Sequence, residues 1–314
     1  MRDSAARSDT QLLQRLHRET ALNLEMMFTS SLIQWLYNSR MPMTTKSLYG
    51  IAISLLLFSR VAVGQISVIG ELSYDRQVKP GEVYEGSLTL RNESDVPQEA
   101  KVYQTDYLFH ADGTNLYADP GSTPRSNAKW ITFSPSDVVL PPHATAPVTY
   151  RVSVPRDSLG TLQGSYWSML MIEGIPSGSP ESSLPQDRAK KVMGIIQSIR
   201  YGVQIASHVE HSGKKEIRFM DAKLVQGNEG GKVFQLDIEN IGNVGMRPDV
   251  RVELYNQQGD LKGKYAGIKY RLYPGTSTRQ LIELDKDLQG DYKALVIVDD
   301  GGDDIFGAQY TLEF

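Results

Sequence analysis

From Ile66 onward the apolar positions alternate, and hardly any segment keeps an apolar residue at every third or fourth place. Short runs rich in Val, Ile, Tyr and Thr recur between clusters of Gly, Pro, Asn and Asp. This spacing predicts strands at Ile66–Tyr74, Val83–Leu90, Ala100–Phe109, Trp130–Phe133, Thr145–Val154, Gln163–Glu173 and Val192–Ile205. Turns are expected at Lys79-Pro80-Gly81, at Asn92–Asp95 and at the hairpin-forming Asp112-Gly113. Beyond an expected linker, His208–Lys215, strands are predicted at Ile217–Val225, Lys232–Asn240, Pro248–Tyr255, Ile268–Leu272, Thr278–Leu284, Asp291–Val298 and Ala308–Phe314. Two sets of short strands at these turn spacings predict an all-β chain with two tandem immunoglobulin-like sandwiches, over 66–206 and 216–314. A weak echo joins the halves: Leu88–Ser94 and Leu236–Gly242 each run a strand into an asparagine, Asn92 and Asn240.

Upstream, the apolar run Leu48–Phe58 follows Lys46 and ends near Ala62-Val63-Gly64. It is too short to cross a bilayer as a stable helix, and it has the basic start, apolar middle and small-residue exit of an export signal. Residues 41–64 are therefore expected to be a signal peptide cut near Gly64-Gln65, placing the product in the periplasm or outside the cell. Met41 or Met43 would give such a signal an ordinary start. Residues 1–40 are accordingly expected to be a mis-assigned or disordered extension, although Leu12, Leu13 and Leu16 leave an amphipathic helix open.

Charge and cysteine content narrow the function. Residues 65–314 hold 26 basic and 33 acidic side chains, a formal charge of −7, which disfavours nucleic acid as a partner. The chain has no cysteine, so disulfides, thiolate nucleophiles and zinc–thiolate sites are excluded and each sandwich must be held by its core. No second long apolar segment follows the signal, and no membrane span is expected in the mature part.

Candidate chemistry is sparse. His208-Val209-Glu210-His211 has a spacing that does not put both rings on one face of a strand, so a solvated linker is expected there instead of a metal site. The acidic turn Asp299-Asp300-Gly301-Gly302-Asp303-Asp304 is a weak candidate for Ca²⁺ through Asp299, Asp300, Asp303 and Asp304, without the ligand spacing of an EF-hand. No cofactor is expected. There is no Gly-x-Ser-x-Gly elbow and no phosphate-cradling loop, so no enzyme is expected; Ser165-Tyr166-Trp167 lies in a strand pattern, with Trp167 read as core or rim. Tyr103, Tyr107, Tyr117, Tyr255, Tyr265, Tyr270 and Tyr273 leave a second class open, an adhesive cell-surface module that binds cell wall, glycan or protein through exposed rings.

Several pieces fall in a familiar order: Val78-Lys79-Pro80-Gly81-Glu82, Leu88–Ser94, Phe133-Ser134-Pro135, Val139-Leu140-Pro141-Pro142, Val148–Pro155 and Gly164–Ile175. A turn-rich loop, Gly174–Lys190, and an apolar strand follow. Over about 66–205 this order resembles the periplasmic pilus-assembly-chaperone (PapD-like) family and the related extracellular domain of WxL-associated cell-surface proteins. The resemblance implies a chaperone-like protein that holds another exported or surface protein, a strand-deficient subunit, by strand pairing at the 191–205 edge. Arg200 occupies a plausible place for the basic residue that the family carries late in its donor strand. On that strand Met193, Ile195 and Ile199 share one face and Val192 and Ile196 the other, a pattern that suits burial on both sides or a face left open for a partner. Burying three or four such side chains would contribute about 5–10 kcal/mol before entropy costs. The partner-binding set is thus Val192, Met193, Ile195, Ile196, Ile199 and Arg200.

N-terminal sequencing of the exported protein is expected to begin near Gln65; a mature chain that still carries Leu12–Tyr37 would exclude the signal.

Overall fold

Between Ile66 and Val209 the alternating pattern resolves into two facing sheets. The computed structural model describes residues 66–176, 179–184, 198–227, 230–301 and 304–314; the expected extension and export signal, 1–64, lie outside them. One sheet orders β1 (Ile66–Ile69), β3 (Val83–Asn92), β8 (Thr145–Ser153) and β6 (Ile131–Ser134). The other orders β2 (Ser73–Val78), β10 (Arg200–Val209), β9 (Ser165–Ile175), β4 (Gln98–Phe109) and β5 (Asn115–Ala118), with β7 (Asp137–Leu140) paired to the start of β4. Leu88, Leu90, Val148 and Val152 pack with Val102, Leu170, Ile172, Val203 and Ile205 in one core. Each such side chain, fully removed from water, contributes roughly 2 kcal/mol.

The second sandwich pairs β11 (Ile217–Gln226), β12 (Lys232–Asn240) and β15 (Ser277–Glu283) in one sheet. Its other sheet orders β14 (Leu261–Ala266), β13 (Asp249–Tyr255), β16 (Asp291–Asp299) and β17 (Ile305–Glu313). Phe234, Leu236, Ile238 and Ile282 close on Val252, Leu254, Val296 and Val298. Both sandwiches belong to one compact unit, Gly64–Phe314.

Four details differ from the sequence pattern. Ile66–Tyr74 is not one strand: the chain breaks at Gly70, whose φ of 112° suits glycine, and passes from the first sheet to the second. Short β5 and β7, exposed or half-paired, carried too little alternation to be read. Ile268–Leu272 is not a strand, because the Gln280 side chain satisfies its backbone: Ile268 N–H donates to Gln280 Oε1 (2.8 Å), Gln280 Nε2 donates to Ile268 O (2.9 Å), and only a bridge joins Met246 to Leu272. The edge strand is β14 instead, whose Lys262 and Lys264 made it read as polar. Finally, β10 runs to Val209, so His208 is a strand residue and not part of a solvated linker.

The asparagine echo has a structural cause. Asn92 is fully buried; its amide donates to the carbonyls of Val96 (2.8 Å), Leu140 (3.0 Å) and Pro141 (3.0 Å), and its Oδ1 accepts from Ser94 N–H (2.9 Å). Asn240, also fully buried, donates to Val244 O (2.8 Å) and Leu272 O (2.9 Å) and accepts from Gly242 N–H (2.9 Å). In each sandwich one amide satisfies the backbone of a corner where water does not reach. Asn92→Asp would turn a carboxylate toward three carbonyls, and urea unfolding at neutral pH is expected to give a loss of about 3 kcal/mol.

Candidate protein-binding edge and domain junction

Strand β10 is paired unequally on its two sides. Along its whole length it lies antiparallel to β9, from Arg200↔Glu173 to His208↔Ser165. On the other side β2 joins it in parallel, but only from Gln204↔Ser73 to Val209↔Val78. Val209 N–H donates to Gly164 O on the β9 side, and Gln204 N–H donates to Leu72 O on the β2 side. Odd-numbered residues of β10 therefore point their backbone groups toward β9, and even-numbered ones point away from it. At Arg200 and Gly202 those groups meet no strand among the described residues.

The side chains around this short edge are arranged for close approach. Val203 and Ile205 sink into the core, while Arg200, Gly202 and Gln204 face outward. Met169 and Met171 of β9 lie over Gly202, where a Cβ would stand 1.9 Å from Met169 Cε. Strand β9 is buried on both faces, which explains its nearly unbroken apolar run. Arg200, 61% exposed, pairs through Nε with Glu173 Oε1 (2.9 Å), and Tyr103 O–H donates to Glu173 Oε2 (3.1 Å). The Glu173 hydrogen bond holds the Arg200 proton more firmly still, so this guanidinium already has its counter-ion. Ile199 is half-buried just before the strand; Val192, Met193, Ile195 and Ile196 lie outside the described residues. Within the expected loop, Ser183 donates from N–H (2.9 Å) and Oγ (2.7 Å) to Glu99 at the start of β4, and these bonds lower the Glu99 pKa.

The C-terminal half of β10 leads into the junction of the sandwiches. Trp167 stacks on Tyr273 with ring centroids 4.8 Å apart, and Ala206 packs with both. Asp75 Oδ2 accepts from Arg271 Nε (2.7 Å), and Asp75 Oδ1 accepts from the Tyr273 hydroxyl (3.1 Å). His208 Nε2 lies 3.2 Å from the same Oδ1, and His208 Nδ1 lies 2.6 Å from Ser165 Oγ, which also receives Gly245 N–H at 2.6 Å. Burial pushes the Asp75 carboxyl up, but the His208 and Arg271 hydrogen bonds and the Arg271 charge outweigh it and hold the pKa at about 2. An ionised Asp75 only accepts, so the His208 Nε2–H donates to it.

Ser165, His208 and Asp75 are the residue types of a hydrolytic triad, but Ser165 is fully buried and its Oγ is held by a backbone N–H of the second sandwich. The arrangement therefore acts as a latch that ties β2, β9 and β10 to the neighbouring domain. Both His208 nitrogens have protein partners, and His211 sits in the following turn at a φ of 50°. Beside the latch opens a cleft of about 1000 Å³ lined by Gln77, His208, His211, Lys214 and Lys215. On its wall Asp300 and Asp304 grip the Lys215 ammonium at 2.9 and 3.3 Å, and Asp299 Oδ1 caps Gly301 N–H. The cation those two carboxylates face is thus a lysine of the same chain; Asp303 lies outside the described residues.

Of the exposed tyrosines expected from sequence, Tyr117 is 60% exposed, whereas Tyr273 is buried at the junction. The latch itself was invisible in the sequence: Asp75 and Arg271 stand 196 residues apart and belong to no motif.

The chain matches no protein-family model and no curated protein. Among solved structures, the class 5 fimbriae chaperone CfaA is 14% identical, with 79% of this chain and 98% of that one covered and a TM-score of 0.41. A chain from the Salmonella enterica complex of the SafA pilin with the SafB chaperone is 14% identical, covering 81% and 99%, at a TM-score of 0.38. The E. coli chaperone DraB is 14% identical, covering 78% and 98%, at 0.37. No helix among the described residues is long and apolar enough to cross a membrane.

The ionised Asp75 stabilises the folded state above its ordinary pKa of 3.8, and that contribution is lost as pH falls from 3.8 through about 2. Asp75→Asn is expected to lower stability by about 2 kcal/mol at neutral pH and to flatten this acid limb, read by urea unfolding with tryptophan fluorescence.

Proposed function

We propose that this protein is an exported, non-enzymatic, chaperone-like protein that holds another envelope or surface protein by strand pairing at the start of β10. The observation that carries this reading is the half-covered strand: β2 caps β10 from Gln204 onward, and the outward backbone of Arg200 and Gly202 meets no strand among the described residues. Natural sheets normally blunt such an edge, and an extended segment added here gains main-chain hydrogen bonds. Val192, Met193, Ile195, Ile196 and Ile199 would extend the same edge and supply apolar side chains for register. The proposed partner is a strand-deficient subunit. The working compartment is the periplasm or the cell surface, reached by the 41–64 signal. Because Arg200 is already paired with Glu173, the backbone, and not the guanidinium, is the main source of affinity.

A second reading rests on Tyr107 and Tyr117, whose rings lie 5.1 Å apart on the β4–β5 hairpin and could stack on a wall glycan. Sedimentation with purified peptidoglycan, without a one-to-one protein complex, would favour it.

Arg200→Pro removes an outward N–H without touching the β9 ladder, whereas Arg200→Ala removes only the charge. Pull-down from envelope extract is expected to lose the one-to-one complex by tenfold or more with Arg200→Pro and to keep most of it with Arg200→Ala. Equal capture by wild type and Arg200→Pro would overturn the strand-pairing reading.

A further inference from the structure

Among the described residues, the second sandwich leaves a longer edge unpaired than the first. In the first, β2 switches sheets and caps β10; in the second, β11 stays in its own sheet and β17 ends its sheet without a partner on its far side among the described residues. The other edges of this sandwich carry blunting devices. Strand β11 has Arg218, Asp221 and Lys223 and a register shift between Phe219 and Ala222; β14 has Lys262 and Lys264; β15 has Arg279 and Glu283. Strand β17, Ile-Phe-Gly-Ala-Gln-Tyr-Thr-Leu-Glu, runs nine residues in unbroken register with no proline, no lysine and one charge, Glu313, at its end.

Its free hydrogen-bonding groups can be assigned. Phe314 N–H donates to Gly290 O, which makes the even-numbered residues those that bond β16. Ile305, Gly307, Gln309, Thr311 and Glu313 therefore turn N–H and C=O outward, and all five are exposed. We propose that β17 pairs with β17 of a second copy of this chain, antiparallel about a two-fold axis at Gln309. That register puts Gln309 opposite its own copy, Gly307 opposite Thr311 and Ile305 opposite Glu313. It uses all five outward residues of each strand for about ten backbone hydrogen bonds and brings no two like charges face to face. The exposed Ile305 is covered, and the two four-stranded sheets become one. A two-fold contact of this kind is self-complementary and closes on itself. It leaves the β10 edge out of the contact, so it stands independently of the proposed partner capture.

Sedimentation velocity of the purified full chain tests this over a concentration series. Wild type is expected to show a monomer–dimer equilibrium. Gln309→Pro, which deletes the outward N–H at the axis while sparing the β16 ladder, is expected to weaken the dimer tenfold or more. Gln309→Lys and Gln309→Glu, at an exposed site, are each expected to weaken it about fivefold, and an equimolar mixture of the two to regain it as a heterodimer. A wild type that stays monomeric up to millimolar concentration overturns the proposal. So does a dimer that ignores Gln309→Pro and shows no gain in the mixture, because its interface then lies elsewhere.

Discussion

The handover of the chain at Gly70–Leu72 governs the rest of the first sandwich. A strand can satisfy one row of backbone groups on each side, and β1 spends its row on β3 while β2 spends its own on β10. That single crossing decides how much of β10 is capped and how much is open. It also delivers Asp75 to the domain junction, where Arg271, Tyr273 and His208 converge on one carboxylate. Edge and latch are therefore two ends of one strand. A partner that lengthened the pairing of β10 at Arg200 would act on the strand that also holds His208 and, through it, the second sandwich.

The two sandwiches solve the same corner with the same residue. Asn92 and Asn240 each fold a buried amide into the bend that follows β3 and β12, because the bend leaves carbonyls that neither sheet nor water can reach. The sandwiches part company at their last strands. Without a sheet-switching strand, the second leaves β17 with no strand on one side among the described residues, and the near absence of charge along it suits the proposed self-pairing. Where β11 and β14 carry lysines, β17 carries Gly307, Gln309 and Thr311.

Much of this was legible along the chain, and the misses have physical reasons. Long half-buried strands such as β3, β8 and β16 alternate because one face meets a core and the other meets water. Short or edge strands such as β5 and β14 lack that contrast, and in β7 an exposed Val139 between buried Val138 and Leu140 hides it. Ile268–Leu272 alternates correctly yet is no strand, since a glutamine side chain took the hydrogen bonds a neighbour would have supplied. His208 read as linker because a polar residue near a domain boundary normally faces water; here Asp75 and Ser165, from distant segments, replace that water.

By itself, then, the sequence determined the all-β class, the two sandwiches, the two asparagine corners and the absence of thiol chemistry, because these follow from local periodicity, turn residues and composition. Only the tertiary structure decided that β2 caps just half of β10, that Asp75, Ser165, His208 and Arg271 form one network, and that β17 ends its sheet with no further strand among the described residues. Those facts depend on which strands become neighbours, and neighbourhood between residues more than a hundred positions apart is set by packing of whole sheets, which no local pattern encodes.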